Sequence, residues 1–387
     1  MVAIAGLVGL RPHVDHVASF TAPPYDVIKE GTPLWSRLFA NPRSLVHVTL
    51  GADPKQAFER LRAEVLVADD EPGLFVYEQR TEGGELRTGL FAAVEVSDYS
   101  ERKIIRHEKT FDEKVKGRIA LAQATGHTIG PVFLLTRAAI DEALERAKQS
   151  APLYDFTSDF GGGTDLHAIH SRVWKVPAAS ALGGELASLI APEPLYIADG
   201  HHRYHAALKN GQSHVLAYIT RSARIQAYDR VVNGTIPFER ASSSLPLEPA
   251  ERFDTPPKHA FRIYSKQGCF TLRARSVPSD VVGRLDCSIL ERELYPHLGL
   301  THAQIVDPAH FDYYPESMLD DMKAVVDAGK YEIAVALHPV SIDELMAVAD
   351  AGLSDASIVM PEKSTFFSPK ILSGLFLYRH SHGPSGR

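Results

Sequence analysis

The sequence predicts a mixed α/β protein, and three observations lead there. Short apolar runs of strand type alternate with stretches of helical periodicity. A strand-turn-helix unit, LYIADGHHRYHAAL, occupies residues 195–208. Finally, 44% hydrophobic content over 387 residues suffices for at least one large core, and the length alone allows two or three compact units.

The elements follow in order. TAPPYDVI at 21–28 holds two prolines that force an extended or turning path ahead of Tyr25 and Asp26. A helix is expected around 54–67. Alternating β-rich segments at 74–79 and 86–96 flank the turn Glu82-Gly83-Gly84-Glu85 and predict a hairpin. KIIRHEKTF at 103–111 enters a charged, Ala-rich helical stretch over 112–125, and a buried-type strand follows at 132–135. Next come a helix at 141–149 and a β-type passage over 156–176, in which Gly161 to Gly163 read as a hairpin tip. That triple glycine lacks the Gly-Lys-Ser/Thr of a phosphate loop. A helix over 179–190 precedes the strand 195–198 and the DGHHRY helix, with strands at 215–219 and 225–232 beyond.

SSSLPLEPAERFDTPP at 242–257 is rich in Ser and Pro and is the expected boundary. It divides the chain into an α/β core over 1–245 and a C-terminal α/β region over 246–387, either separate or packed on the same core. Within that region strands are expected near 261–264, 270–274, 332–336 and 375–378, and helices over 288–298, 316–328 and 342–351.

A formal net charge of -7 and a pI near 6.2 argue against a nucleic-acid partner, because a phosphate backbone rewards a broad basic surface. The two cysteines, Cys269 and Cys287, are far apart and fit neither a disulfide framework nor a zinc ribbon. The apolar opening reaches Arg11 and Pro12 after a short run, which suits no membrane span or export signal. A cytoplasmic protein with a small-molecule partner is expected, and self-association stays open.

The chemistry concentrates in the DGHHR turn. Backbone N–H groups at a helix N-terminus, together with Gly200, His201, His202 and Arg203, make an anion grip. Asp199 either orients a substrate hydroxyl, assists a phosphate-bound Mg²⁺, or caps the helix. Glu108 can accept a hydroxyl proton, or else forms a surface ion pair with Lys109 or Arg106. Arg118, ten residues on, reaches the same pocket or merely solvates a helix face. Asp26 on its rigid loop, and Lys363, Ser364 and Thr365 near the C-terminus, are candidate substrate contacts. His201 and His205 are i, i+4 neighbours, but without a clear third ligand no protein metal site is expected. Alternation places Asp229 opposite Tyr228 and Arg230, so these three read as supporting the fold.

APPYDVI, RHEKTF, TIGPVFLL at 128–135, PLYDFTSD at 152–159, IADGHHRY, YDRVVNG at 228–234, LDCSIL at 285–290 and PEKSTFFSPKILSGLF at 361–376 together resemble one family. It is the bacterial and archaeal family known as domain of unknown function 1015, and the resemblance spans nearly the whole chain. DGHHR is also similar to the phosphate-contacting motif of the ParB and sulfiredoxin superfamily, which includes CTP-binding partition proteins, ATP-using sulfiredoxins and free-serine kinases. That second resemblance implies a ParB/sulfiredoxin-like core with large N-terminal and C-terminal elaborations. Free-serine kinases carry a His-Glu pair upstream of the motif, similar to His107-Glu108, which implies Glu108 as general base and His107 beside the substrate. The implied activity is a kinase for free L-serine or another hydroxyl-bearing metabolite, using ATP, ADP or pyrophosphate with Mg²⁺. In that reading Glu108, Asp199 and His202 are catalytic. Gly200, His201, Arg203 and Arg118 bind phosphate. The alternatives are a nucleotide-binding regulator and a metal-dependent hydrolase built on His201, His202 and His205.

Overall fold

The computed structural model describes residues 1–161 and 167–380. These form two compact units, residues 1–223 together with the segment from Pro369, and residues 224–368. The architecture is mixed α/β, as the sequence predicts. The division falls at 223/224 rather than at 245/246, and the chain returns to the first unit at Pro369. The physical reason lies in the Ser- and Pro-rich stretch. It carries the helix Phe238–Ser242 and the strand Leu247–Pro249, which pairs with Gly268–Arg273, so it belongs to the second unit's sheet instead of linking two bodies.

Among the described residues, a nine-stranded sheet organises the first unit. Its order is Ile104–Ile105, Leu195–Asp199, Val132–Leu135, His214–Thr220, Leu86–Glu95, Gly73–Arg80, Ile169–Pro177 and Tyr154–Ser158, with Ile4–Ala5 also on Leu86–Glu95. The predicted hairpin is present, with Phe75 opposite Phe91. The strands Tyr154–Ser158 and Ile169–Pro177 pair antiparallel, while Gly162 and Gly163 of the expected hairpin tip lie outside the described residues. Val76, Leu90, Val94, Leu134, Trp174 and Ile197 form one continuous apolar core, each side chain contributing roughly 1.5–3 kcal/mol of burial. The helices Asp141–Ala147, Ala181–Ile190 and His201–Lys209 cover it through Leu144, Leu186 and Tyr204. Ser180 starts the second of these by accepting the Gly183 N–H at 3.1 Å. Gly126, at φ 67°, ends the helix Asp112–Thr125.

In the second unit the sheet order is Leu247–Pro249, Gly268–Arg273, Ala260–Ser265, Ile333–Leu337, Tyr228–Val232 and Phe311–Pro315. The helix Leu319–Asp327 packs Met322 and Val326 on Val231 and Ala334. The single strand expected over 225–232 is two: Arg224–Gln226 pairs with Phe366–Ser368, and Tyr228–Val232 joins the larger sheet. No helix among the described residues is long and apolar enough to cross a membrane.

Asp229 sits fully buried in that sheet, with Oδ1 accepting the Leu337 N–H at 3.0 Å. Burial pushes its carboxyl up to about 8, only partly opposed by the Leu337 bond and Arg230. A carboxyl raised in the folded state stabilises below its unfolded pKa, and that stabilisation is lost as pH rises through the folded value. Unfolding of the second unit is therefore expected to become easier from about pH 4 to pH 8, by at most about 1.4 kcal/mol per pH unit. Asp229→Asn should flatten this dependence in urea titrations across that range.

Candidate active site

Two parallel strands deliver the site. Ile104–Ile105 lies beside Leu195–Asp199 in parallel register, Ile104 opposite Leu195 and Ile105 opposite Tyr196. Parallel neighbours end at the same edge of a sheet, so His107 and Glu108 emerge next to Asp199, Gly200 and His201 despite the long sequence separation. A weak hydrogen bond joins the two turns, the His107 backbone N–H donating to His201 Nε2 at 3.4 Å. The His107 and His201 rings meet edge to face, 4.5 Å between centroids.

Gly200 adopts φ 96°, a conformation that any side chain would strain. A Cβ there would stand 2.9 Å from Arg203 Nε and 3.1 Å from its Cζ. The guanidinium could swing away only by giving up its bonds to Pro131 O and to Asp199 Oδ1, the latter 3.3 Å long. Gly200→Ala is therefore expected to cost about 1–3 kcal/mol, checked by thermal unfolding.

Asp199 is the hinge of the charge network. Its Oδ2 receives Lys370 Nζ at 3.1 Å, and its Oδ1 faces Arg203. Burial works against its charge, but the ammonium and the guanidinium outweigh that and hold the carboxyl well below the usual carboxylate range. Lys370 was not among the residues singled out from the sequence. The available signal was a lone cation inside the apolar stretch FFSPKILSGLF, which has to find an anion if it is buried.

The histidines are not cations here. Burial pushes His107 down to about 4, against the Ile197 backbone and the Asp199 charge. Burial and the neighbouring His107 ring also push His201 well below its ordinary value. Burial, then Lys114 and Arg203, bring His202 to about 4. His202 Nε2 accepts the Phe111 N–H at 3.1 Å, which in a neutral ring leaves Nδ1 as a donor. The fixed positive charge of the site therefore comes from Arg203, Arg118 and Lys370.

A cleft opens beside this turn, with Tyr25, Arg118, His127, Gly130, Arg203 and Ser373 in its walls. Arg118 is a cleft residue rather than a solvated one. Its guanidinium lies 3.8 Å from the Tyr25 ring centroid, and burial, with the Arg203 charge behind it, pulls it below its ordinary value. Asp26 stands on the same loop, and its charge acts on Tyr25, Arg118 and His202. Glu108, Asp199 and His202 do not line this cleft; Arg203 is the side chain shared by both groups.

Glu108 approaches two imidazoles, His201 Nδ1 at 3.6 Å from Oε2 and His107 Nε2 at 3.8 Å from Oε1. Among the described residues, His107, Glu108 and His201 have ligand atoms within 4.8 Å of one another and could hold a metal ion. The tautomer opposes it: a neutral His201 that accepts at Nε2 keeps its proton on Nδ1, the atom facing Glu108. His205 is not in this group and stacks on Tyr99 instead. Lys363, Ser364 and Thr365 belong to the second unit. Ser364 is buried there, donating to Pro361 O and accepting from Cys287 Sγ.

The site thus sets a helix N-terminus and two arginines, Arg118 and Arg203, beside one cleft of a mixed α/β unit. The chain belongs to the family described as Protein of unknown function (DUF1015), whose model matches residues 4–288. Among curated protein sequences, none matches the chain. Similar solved structures include a free serine kinase in complex with AMP (13% identity, TM-score 0.36, covering 74% of this chain and 92% of that one). Others are SbnI with C-terminal truncation from Staphylococcus aureus (12%, 0.39, 74% and 87%) and a conserved hypothetical protein from Pyrococcus furiosus (15%, 0.35, 74% and 95%).

Proposed function

We propose that this protein is a phosphotransferase acting on a small hydroxyl-bearing metabolite, with free L-serine as acceptor and ATP, ADP or pyrophosphate as donor. The observation that supports it is the placement of Glu108 beside a helix N-terminus whose Arg203 also enters the Arg118 cleft. Phosphoryl transfer asks for positioning and charge stabilisation more than covalent help.

In this reading the acceptor hydroxyl loses its proton to Glu108 as its oxygen bonds to the terminal phosphorus of the donor, and the bond to the leaving phosphate or nucleotide breaks. Arg203, Arg118, the His202 Nδ1–H and the N-terminal amides of His201–Lys209 stabilise the charge spread over the transferring group. Asp26, next to the cleft residue Tyr25, and His107 position the acceptor. Asp199 is held by Lys370 and Arg203, so Mg²⁺ would sit on donor oxygens, where it neutralises phosphate charge.

Phosphorus NMR of the protein with Mg²⁺, each donor in turn and L-serine tests the reading. A phosphomonoester signal that needs both donor and serine is expected. Release of inorganic phosphate alone, or no change with any donor, would overturn it.

A further inference from the structure

The second unit holds a buried cation for which the described residues show no ion pair. Arg230 is 2% exposed. Its Nη1 donates to the Tyr295 hydroxyl at 3.0 Å and its Nη2 to the Tyr228 carbonyl at 2.6 Å. Its Nε is buried with no hydrogen-bond partner, and among the described residues it forms no ion pair. Burial keeps Tyr295, Tyr313 and the Cys287 thiol in their protonated, uncharged forms. Asp229 is the adjacent carboxyl, but strand alternation sends it to the opposite face. A buried guanidinium lacking a carboxylate is costly, and a bound anion removes that cost.

A second cation shares the same aromatic wall. Arg230 lies 5.4 Å from the Tyr313 ring centroid, and Lys363 Nζ lies 5.8 Å from that ring and 5.2 Å from the Tyr228 ring. Lys363 is held at φ 58°, in the left-handed region that a lysine seldom adopts. Ser364, next to it, clamps that segment to Cys287. YDRVVNG, LDCSIL and PEKSTFF, far apart in sequence, thus converge on one point through Arg230, Cys287 and Lys363. Lys363 and the Tyr228 and Tyr313 rings are only half-buried, which leaves an approach from that side.

We infer that Arg230 and Lys363 form a second ligand site, which takes the carboxylate or phosphate group of a small metabolite. The Arg230 Nε–H and the Lys363 ammonium supply the charged donors, and Tyr228 and Tyr313 form the wall. The phosphotransferase reading is not needed for this site, since none of its residues belongs to the Glu108 and Arg203 machinery.

Calorimetric titration of the full-length Arg203→Gln chain, in which the first anion grip is disabled, tests it with inorganic phosphate in one arm and acetate in the other. Saturable binding of one equivalent is expected in at least one arm, and the stronger arm identifies the oxyanion. Adding Lys363→Gln, a change at a half-exposed position, should weaken that binding by about tenfold or more. No saturable binding in either arm, or binding unchanged by Lys363→Gln, would overturn the inference, and both outcomes are independent of turnover.

Discussion

Glu108→Gln is expected to lower the proposed phosphoryl transfer by about 10²–10⁴-fold while leaving donor affinity unchanged, the range typical of losing a general base. The amide keeps the shape of the side chain and its place against His201 and His107, so the helix N-terminus and the Arg118 cleft stay as they are. Turnover and calorimetric donor binding, measured on the same preparation, separate the two effects. A variant that keeps its rate would remove Glu108 from the chemistry. One that loses donor binding instead would make it a contact for the donor.

Lys370→Met is expected to cost the first unit about 2–4 kcal/mol at neutral pH, somewhat below the cost of breaking a fully buried pair because Asp199 is partly exposed. A carboxyl depressed in the folded state stabilises above its unfolded pKa, and that contribution is lost as pH falls through the folded value. Because Lys370 and Arg203 outweigh burial at Asp199, the wild-type chain keeps this contribution into acid, below about pH 4. The gap between wild type and Lys370→Met should therefore be widest at pH 7 and narrow on acidification below pH 4. The two tryptophans, Trp35 and Trp174, both lie in the first unit and report its urea transition by fluorescence. An unchanged transition would mean that Asp199 finds compensation from Arg203 alone.

How much was legible in the sequence varies by element. The helix expected over 112–125 is found as Asp112–Thr125, because Gly126 supplies a left-handed stop that no β-carbon obstructs. The turn between Leu195–Asp199 and His201–Lys209 was legible as a strand-to-helix turn, since Asp-Gly between an apolar run and a helical one is a local pattern. Arg118 was not separable from a surface residue, because its helix has no strong apolar face to say which side is buried. Its role in the cleft depends on Tyr25, ninety-three residues upstream. The protonation of His201 and His202 was not legible for a related reason: burial sets it, and burial is a property of the packed chain.

By itself the sequence determined what neighbours along the chain can settle: the mixed α/β class, most strand and helix positions, the family, and the DGHHR turn. Tertiary structure alone decided which distant segments meet. Parallel pairing of Ile104–Ile105 with Leu195–Asp199 set Glu108 beside His201, and the return of the chain at Pro369 placed Lys370 on Asp199. It also drew Arg230, Cys287 and Lys363 together in the second unit. Local propensity acts over a few residues, whereas partner choice in a sheet and the pairing of buried charges are settled when the whole core closes.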